Sequence, residues 1–112
     1  MAAQTTKHTI SAILFQEDGW WTAQCLEYDI ATQARTLPEL QYELERTIIG
    51  HFAVALELGQ EPFLGIGQAP KEFWQMFDQA KTRVERPRFP FRLPKLAPLL
   101  QPDLRIAELS PA

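Results

Sequence analysis

Apolar residues in the middle of the chain recur with the period of a helix. Between Thr36 and Leu58 they fall at steps of three and four, which places them on one helical face. That face consists of Leu37, Leu40, Leu44, Ile48, Phe52 and Ala55. Thr36 and Glu39 have the spacing of a capping box, and Gly59 can adopt the left-handed conformation that ends a helix. The sequence therefore predicts one long amphipathic helix, Thr36–Leu58.

A second apolar stripe, formed by Ile49, Ala53 and Leu56, lies beside the first. Two stripes predict that more than its own sheet buries the helix, and a second subunit is one way to cover the second stripe. Gly50 lies inside the helix, where glycine costs about 1 kcal/mol relative to alanine. We interpret Gly50 as a point of close packing against a neighbouring backbone, with a hinge as the alternative.

Three strands are predicted before this helix. The β-branched and apolar segments His8–Gln16 and Trp20–Leu26 flank Asp18-Gly19, a pair that favours a two-residue type I′ hairpin turn. Ile30–Arg35 is a weaker third strand that runs directly into the helix. The predicted order is β-β-β-α, an antiparallel sheet covered by a helix, and the fold class is α+β.

The hairpin turn also fixes which residues of the two strands share a face. One face is nearly all apolar and is predicted to pack under the long helix: Ile10, Ala12, Leu14, Trp21, Ala23 and Cys25. The opposite face carries Ser11, Ile13, Phe15, Trp20, Thr22, Gln24 and Leu26. This second face is too apolar for a solvated surface, so we expect a partner or the chain's own tail to cover it. Its predicted protein-interface residues are Ile13, Phe15 and Trp20.

A loop and a second helix follow the long helix. Gln60–Ala69 contains one proline and two glycines and is predicted to be a loop. Pro70 is suited to a first helical turn and opens the predicted helix Pro70–Val84. Its apolar face contains Phe73, Met76, Phe77 and Ala80, continued by Val84 with Trp74 at the edge, and packing is the expected role of this face.

The remainder of the chain is predicted to be a basic, proline-rich tail. Five of the nine prolines lie within 86–102, which predicts extended backbone there. Asp103–Leu109 alternates apolar and polar residues and is predicted to form a short edge strand, joining the sheet within the chain or across a dimer. We therefore expect one α+β domain over residues 1–84 and a tail over residues 85–112 that is not a separate domain.

Charge is distributed unevenly along the chain. The formal net charge is −3, but residues 1–80 contain eleven acidic and four basic residues, whereas residues 81–95 contain six basic and one acidic residue. No run of about 18 apolar residues is present, so no membrane span is predicted. The first seven residues lack the apolar core of a signal peptide, and a cytoplasmic location is expected.

The basic segment is the strongest candidate for an interaction element outside the sheet. Its predicted nucleic-acid contacts are Arg83, Arg86, Arg88, Arg92 and Lys95, since arginines with interleaved aromatics can bind phosphate and stack bases. The alternative is that Phe89 and Phe91 belong to a protein interface on the apolar sheet face. We favour the protein interface, because the whole chain is acidic and nucleic-acid binders are usually basic.

No catalytic constellation emerges from the sequence. Cys25 falls on the apolar sheet face and is expected to be an inert buried thiol, and His8 and His51 are expected to be packing or surface residues. Four carboxylates flank the second strand, but their spacing does not predict a metal-binding cluster, and we expect them to be solvated: Glu17, Asp18, Glu27 and Asp29. We expect no enzymatic activity, no metal and no cofactor, and a metal-dependent hydrolase ranks last among the functions.

Three segments of the first half share a family pattern. They are Asp18-Gly19-Trp20-Trp21, Ala23-Gln24-Cys25-Leu26-Glu27 and Ala31-Thr32-Gln33-Ala34-Arg35-Thr36-Leu37-Pro38-Glu39-Leu40. With these segments, residues 8–58 resemble the HicB-like family, the antitoxin half of HicA–HicB toxin–antitoxin pairs and its stand-alone relatives. The family pattern is matched by Gln33, Thr36, Leu37 and Glu39, and Ala34, Pro38 and Leu40 depart from it.

The resemblance implies a truncated ribonuclease-H-like or double-stranded-RNA-binding-like α+β fold, and it does not imply nuclease activity. It implies a protein-binding module of antitoxin type that docks on a small RNA-cleaving toxin, or an orphan oligomeric module. The expected partners are further copies of the chain and a small toxin protein. Nucleic-acid binding through residues 83–95 is the alternative function.

Overall fold

The computed structural model describes residues 8–84 and 100–107, which form a mixed sheet with one helix on each face. The element order confirms the predicted α+β class and the β-β-β-α frame. The elements are β1 (His8–Glu17), β2 (Trp20–Cys25), β3 (Ala31–Ala34), α1 (Leu37–Leu58), α2 (Lys71–Gln79), β4 (Thr82–Arg83) and β5 (Leu100–Ile106). Among these described elements, neither helix is long and apolar enough to span a bilayer.

The β1–β2 hairpin has the predicted turn and register. Asp18 has φ 52° and Gly19 has φ 80°, so both central residues adopt the left-handed conformation that a type I′ turn requires. The strands pair as predicted, with Gln16 opposite Trp21, Leu14 opposite Ala23 and Ala12 opposite Cys25. A two-residue turn fixes the register of the two strands, and the register determines which side chains lie on each face of the sheet.

The sheet has five strands in the order β3-β2-β1-β5-β4. β5 runs parallel to β1 and antiparallel to β4, within the same chain. The predicted strand over Asp103–Leu109 therefore exists, but it begins at Leu100, ends at Ile106 and is an inner strand instead of an edge strand. It is an inner strand because β4 pairs along its second edge, and its Leu104 side chain is buried on the inner face beside Ala12.

Thr36 and Gly59 cap α1 as the sequence predicts. The Glu39 backbone N–H donates to Thr36 Oγ1 at 3.3 Å, which satisfies one of the free N–H groups of the first turn. Gly59 has φ 66°, and its N–H donates to the Leu56 carbonyl oxygen at 3.2 Å. The helix therefore begins at Leu37 and ends at Leu58, with both ends determined by local chemistry.

The main core lies between α1 and the inner face of the sheet. The predicted apolar stripe of the helix is buried there with the predicted strand face, and burying each such leucine or isoleucine side chain contributes roughly 1.5–3 kcal/mol. Its most deeply buried members include Ile10, Ala12, Leu14, Ala23, Cys25, Leu40, Leu44, Ile48, Phe52 and Leu104.

The outer face of the sheet, which carries Ile13, Phe15 and Trp20, is covered largely by α2. Ile13 and Leu26 form a second core with Ala69 and Phe77. The expectation that a partner or the tail covers this face is thus wrong for its centre. Ile13 is completely buried within the chain and is a core residue, not an interface residue. The sequence predicts packing for the apolar face of α2, but it does not show that the sheet is what this helix covers.

The second helix is shorter than predicted. It ends at Gln79, five residues before Val84, and Thr82–Arg83 instead forms β4. The Val84 N–H donates to the Leu104 carbonyl oxygen at 2.8 Å, and the Val84 side chain packs against the main core. The backbone of β5 thus provides hydrogen bonds that compete with continuation of the helix.

The predicted close packing at Gly50, on the outward side of α1, is wrong. Gly50 is exposed, and a Cβ placed there would meet no atom of its surroundings within 4 Å. The second stripe is only partly covered, since Ile49 is buried while Ala53 and Leu56 are exposed. Within the described residues, the chain therefore offers Gly50 no packing partner.

Candidate protein-docking site

A groove of about 520 Å³ lies between the hairpin end of β1 and one side of α2. We call it the outer groove. The described residues that line it come from these two elements alone: Phe15, Glu17, Glu72, Phe73, Gln75, Met76 and Gln79. A groove on the α1 side has the same volume, so the outer groove is distinguished by its lining and not by its size.

Aromatic and thioether side chains form the apolar floor of the outer groove. Phe15 points outward from β1, and its ring stacks with that of Phe73 at a centroid distance of 6.1 Å. Met76 lies one turn further along α2 than Phe73, and all three side chains are half-buried. Methionine adapts its shape to a partner and phenylalanine offers a large apolar area, which suits this floor to a protein contact.

The rim of the outer groove is acidic. Glu17 and Glu72 are both exposed, and none of the described residues that line the groove is basic. Glu72 lies in the first turn of α2, where the helix dipole stabilises a negative charge. An apolar floor with carboxylates at its edge favours a partner surface that carries cationic side chains around an apolar centre.

Trp20 flanks the outer groove on the β2 side. It pairs directly with Glu17 across the hairpin, and 36% of its surface is exposed. The Arg35 guanidinium carbon lies 3.9 Å from the Trp20 ring centroid, which holds the indole in place by a cation–π contact. Tryptophan is among the residue types that most often contribute binding energy at protein interfaces.

The structure separates the predicted interface residues. Phe15 lies on the floor of the outer groove and Trp20 on its flank, whereas Ile13 is buried beneath α2. Phe89 and Phe91 lie outside the described residues. Sequence reasoning missed Glu72, Phe73 and Met76 as groove residues, because their packing against Phe15 depends on where α2 crosses the sheet.

Only one of the predicted nucleic-acid contacts lies within the described residues. Arg83 is on β4, and its Nε is 3.4 Å from Asp103 Oδ1. Asp103 Oδ2 also lies 3.5 Å from Arg105 Nη2, so one carboxylate offsets two guanidinium groups here. The other four contacts are outside the described residues: Arg86, Arg88, Arg92 and Lys95.

The candidate nucleophile and bases do not meet at one site. Burial and, to a smaller extent, the Glu27 charge raise the pKa of the Cys25 thiol to about 12, so it stays protonated at neutral pH. His51 is exposed on α1 with its ring 5.8 Å from that of Phe63. His8 begins β1 at the far end of the strand from the outer groove.

Two of the four carboxylates predicted to be solvated have structural roles. Glu27 Oε1 accepts a hydrogen bond from the Ser11 N–H at 2.7 Å, and Asp29 Oδ1 accepts one from Gln24 Nε2 at 2.8 Å. These bonds attach the β2–β3 connection to the sheet, which the sequence pattern does not show. In residues 8–84 and 100–107, no three His, Cys, Asp or Glu side chains are grouped as metal ligands.

Comparison of the chain with models of protein families, with curated proteins and with solved structures found no significant match. The resemblance to the HicB-like family therefore stays a prediction. The β-β-β-α frame and the Thr36 cap are present in the fold, but they do not test the family assignment.

Proposed function

We propose that this protein is a protein-binding module and that the outer groove docks a small basic protein. The observation that carries the proposal is the combination of an apolar floor, Phe15, Phe73 and Met76, with two rim carboxylates, Glu17 and Glu72. Apolar contacts would supply most of the affinity, and the carboxylates would select a cationic partner.

The charge of residues 1–80, which make up most of the domain, supports the same class of partner. Residues 1–80 have a formal charge of −7, which attracts a basic protein over distances comparable to the Debye length, about 8 Å at physiological salt. Such attraction increases the association rate more than the final affinity. Binding of the partner is therefore expected to weaken and to slow as the salt concentration rises.

The resemblance to the HicB-like family narrows the proposed partner to a small RNA-cleaving toxin. An enzyme that binds RNA needs a cationic surface, and an acidic module placed on that surface neutralises the enzyme by excluding its substrate. In this proposal the protein acts by occlusion and performs no chemistry of its own.

A charge-reversal experiment tests the outer groove. The probes are any small basic proteins that the adjacent genes encode, titrated by calorimetry into the full chain; the absence of such a gene would itself count against the proposed function. We expect Glu17→Lys/Glu72→Lys to weaken binding about tenfold or more, since the change replaces attraction by repulsion at the rim. Glu39→Lys/Glu61→Lys is the matched control, because it changes the net charge equally on the α1 side of the sheet.

An equal loss of affinity in both double variants would show that net charge alone acts and would contradict a docking role for the outer groove. Failure of every small basic protein encoded nearby to bind the wild-type chain would contradict the proposed function.

Nucleic-acid binding through residues 83–95 is the second candidate, favoured by the net charge of +5 over residues 81–95. It ranks lower because Asp103 partly neutralises Arg83. Salt-dependent RNA binding that disappears in Arg86→Ala/Arg88→Ala/Arg92→Ala would favour this candidate over the outer groove.

A further inference from the structure

Exposed large apolar side chains concentrate on the second half of α1 and on the loop that follows it. In the described part of the chain, four of the six large apolar residues that are well exposed lie in this region, each more than half exposed. They are Val54, Leu56, Leu58 and Leu64. These exposed side chains lie on the side of the molecule opposite the outer groove.

The outward side of α1 has small residues at its centre and opposite charges at its ends. Arg46, Gly50, Ala53 and Glu57 follow one another at steps of four, three and four, so they form one stripe that faces away from the sheet. We call it the α1 stripe, and all four residues are exposed. Gly50 weakens the helix by about 1 kcal/mol without making a contact in the described structure that requires glycine.

We propose that the α1 stripe docks on the same stripe of a second copy of this chain, with the two helices antiparallel. In this arrangement Gly50 faces Ala53 of the partner subunit, and Arg46 faces Glu57 of the partner subunit. The two-fold symmetry repeats both contacts, as an isologous interface requires. The charge order of the stripe is thus self-complementary in the antiparallel orientation and repulsive in the parallel one.

The small residues at the crossing explain why glycine lies at an exposed helical position. With no side chain larger than a methyl group between them, two helices can approach to the short end of the usual 8–10 Å range of interaxial distances. Val54 and Leu56 lie on either flank of the stripe and become buried as the helices approach. Arg46 already pairs with Glu43 of its own helix at 3.0 Å, an exposed contact that leaves guanidinium N–H groups for a second carboxylate.

This interface does not depend on the proposed function, because the outer groove lies on the other face of the sheet and stays open in the dimer. If the chain does not dimerise, partner binding at the outer groove is unaffected. If no partner binds at the groove, dimerisation through the α1 stripe is unaffected.

Sedimentation equilibrium of the full chain tests the proposal. We expect a concentration-dependent dimer in the wild type. Arg46→Glu and Glu57→Arg should each weaken self-association about tenfold or more, because each creates two like-charge contacts across the symmetric interface. The combined variant Arg46→Glu/Glu57→Arg should restore association to within about threefold of wild type, since the charges again oppose one another.

Lys71→Glu is the matched control, with the same charge change as Arg46→Glu on the first turn of α2. A second variant, Gly50→Gln, should abolish the dimer and raise the melting temperature of the monomer, because a good helix former replaces glycine in open space. A wild-type chain that stays monomeric up to about millimolar concentration would overturn the proposal. So would a charge-swapped double variant that remains dissociated, or a Gly50→Gln chain that dimerises like wild type.

Discussion

At the scale of single residues, Glu45 is unusual because its carboxyl group is buried. It lies on α1 with only 3% of its surface exposed, and burial raises the pKa of its carboxyl to about 7. In the unfolded chain the same carboxyl titrates near 4.5. The folded form therefore holds a proton that the unfolded form releases between these two values.

This difference predicts a loss of stability with rising pH. The contribution of Glu45 is fully present below about pH 4.5 and is lost as pH rises through about 7. We expect Glu45→Gln to raise the free energy of unfolding at pH 8 by about 1–3 kcal/mol and to have much less effect at pH 4.5. Urea unfolding at both pH values measures this, with the exposed Glu61→Gln as control. Equal effects at the two pH values would contradict the assignment.

At the scale of elements, the ends of α1 depend on single side chains. Thr36→Ala removes the acceptor for the Glu39 N–H and should lower the free energy of unfolding by about 1 kcal/mol. Thr36→Ser keeps the hydroxyl and should retain most of the stability, which separates capping from a general effect of the site. Chemical denaturation of the three chains provides the comparison, and a Thr36→Ser chain as weak as Thr36→Ala would argue against the cap.

The elements that the sequence predicts well are those determined by near neighbours. Asp18-Gly19 determines the hairpin, its register and therefore the outward position of Phe15, and Thr36 determines where α1 begins. The end of α2 could not be predicted in this way, because it depends on a hydrogen bond from Val84 to Leu104, which lies twenty residues later. For the same reason only the β1 side of the outer groove could be predicted. Phe73 reaches Phe15 through the packing of α2, which the sequence pattern does not show.

At the scale of the whole molecule, β5 joins the two cores. Leu104 is buried on the inner face with α1, while Arg105, on the outer face, lies with its guanidinium carbon 4.0 Å from the Phe77 ring centroid of α2. Leu104→Ala should cost about 2–5 kcal/mol, as expected for a fully buried leucine. Leu64→Ala, at an exposed leucine, should change stability by less than about 0.5 kcal/mol. Equilibrium unfolding in urea compares them, and similar costs for both would place Leu104 outside the core.

The parallel pairing of β1 with β5 has a consequence for synthesis of the protein. His8 and Leu100 are partners in the sheet although 92 positions separate them along the chain. While the nascent chain emerges from the ribosome, the hairpin and α1 can form, but one edge of β1 stays without hydrogen bonds until β5 has been translated. During that interval the growing polypeptide presents an unpaired apolar strand, the kind of segment that chaperones bind.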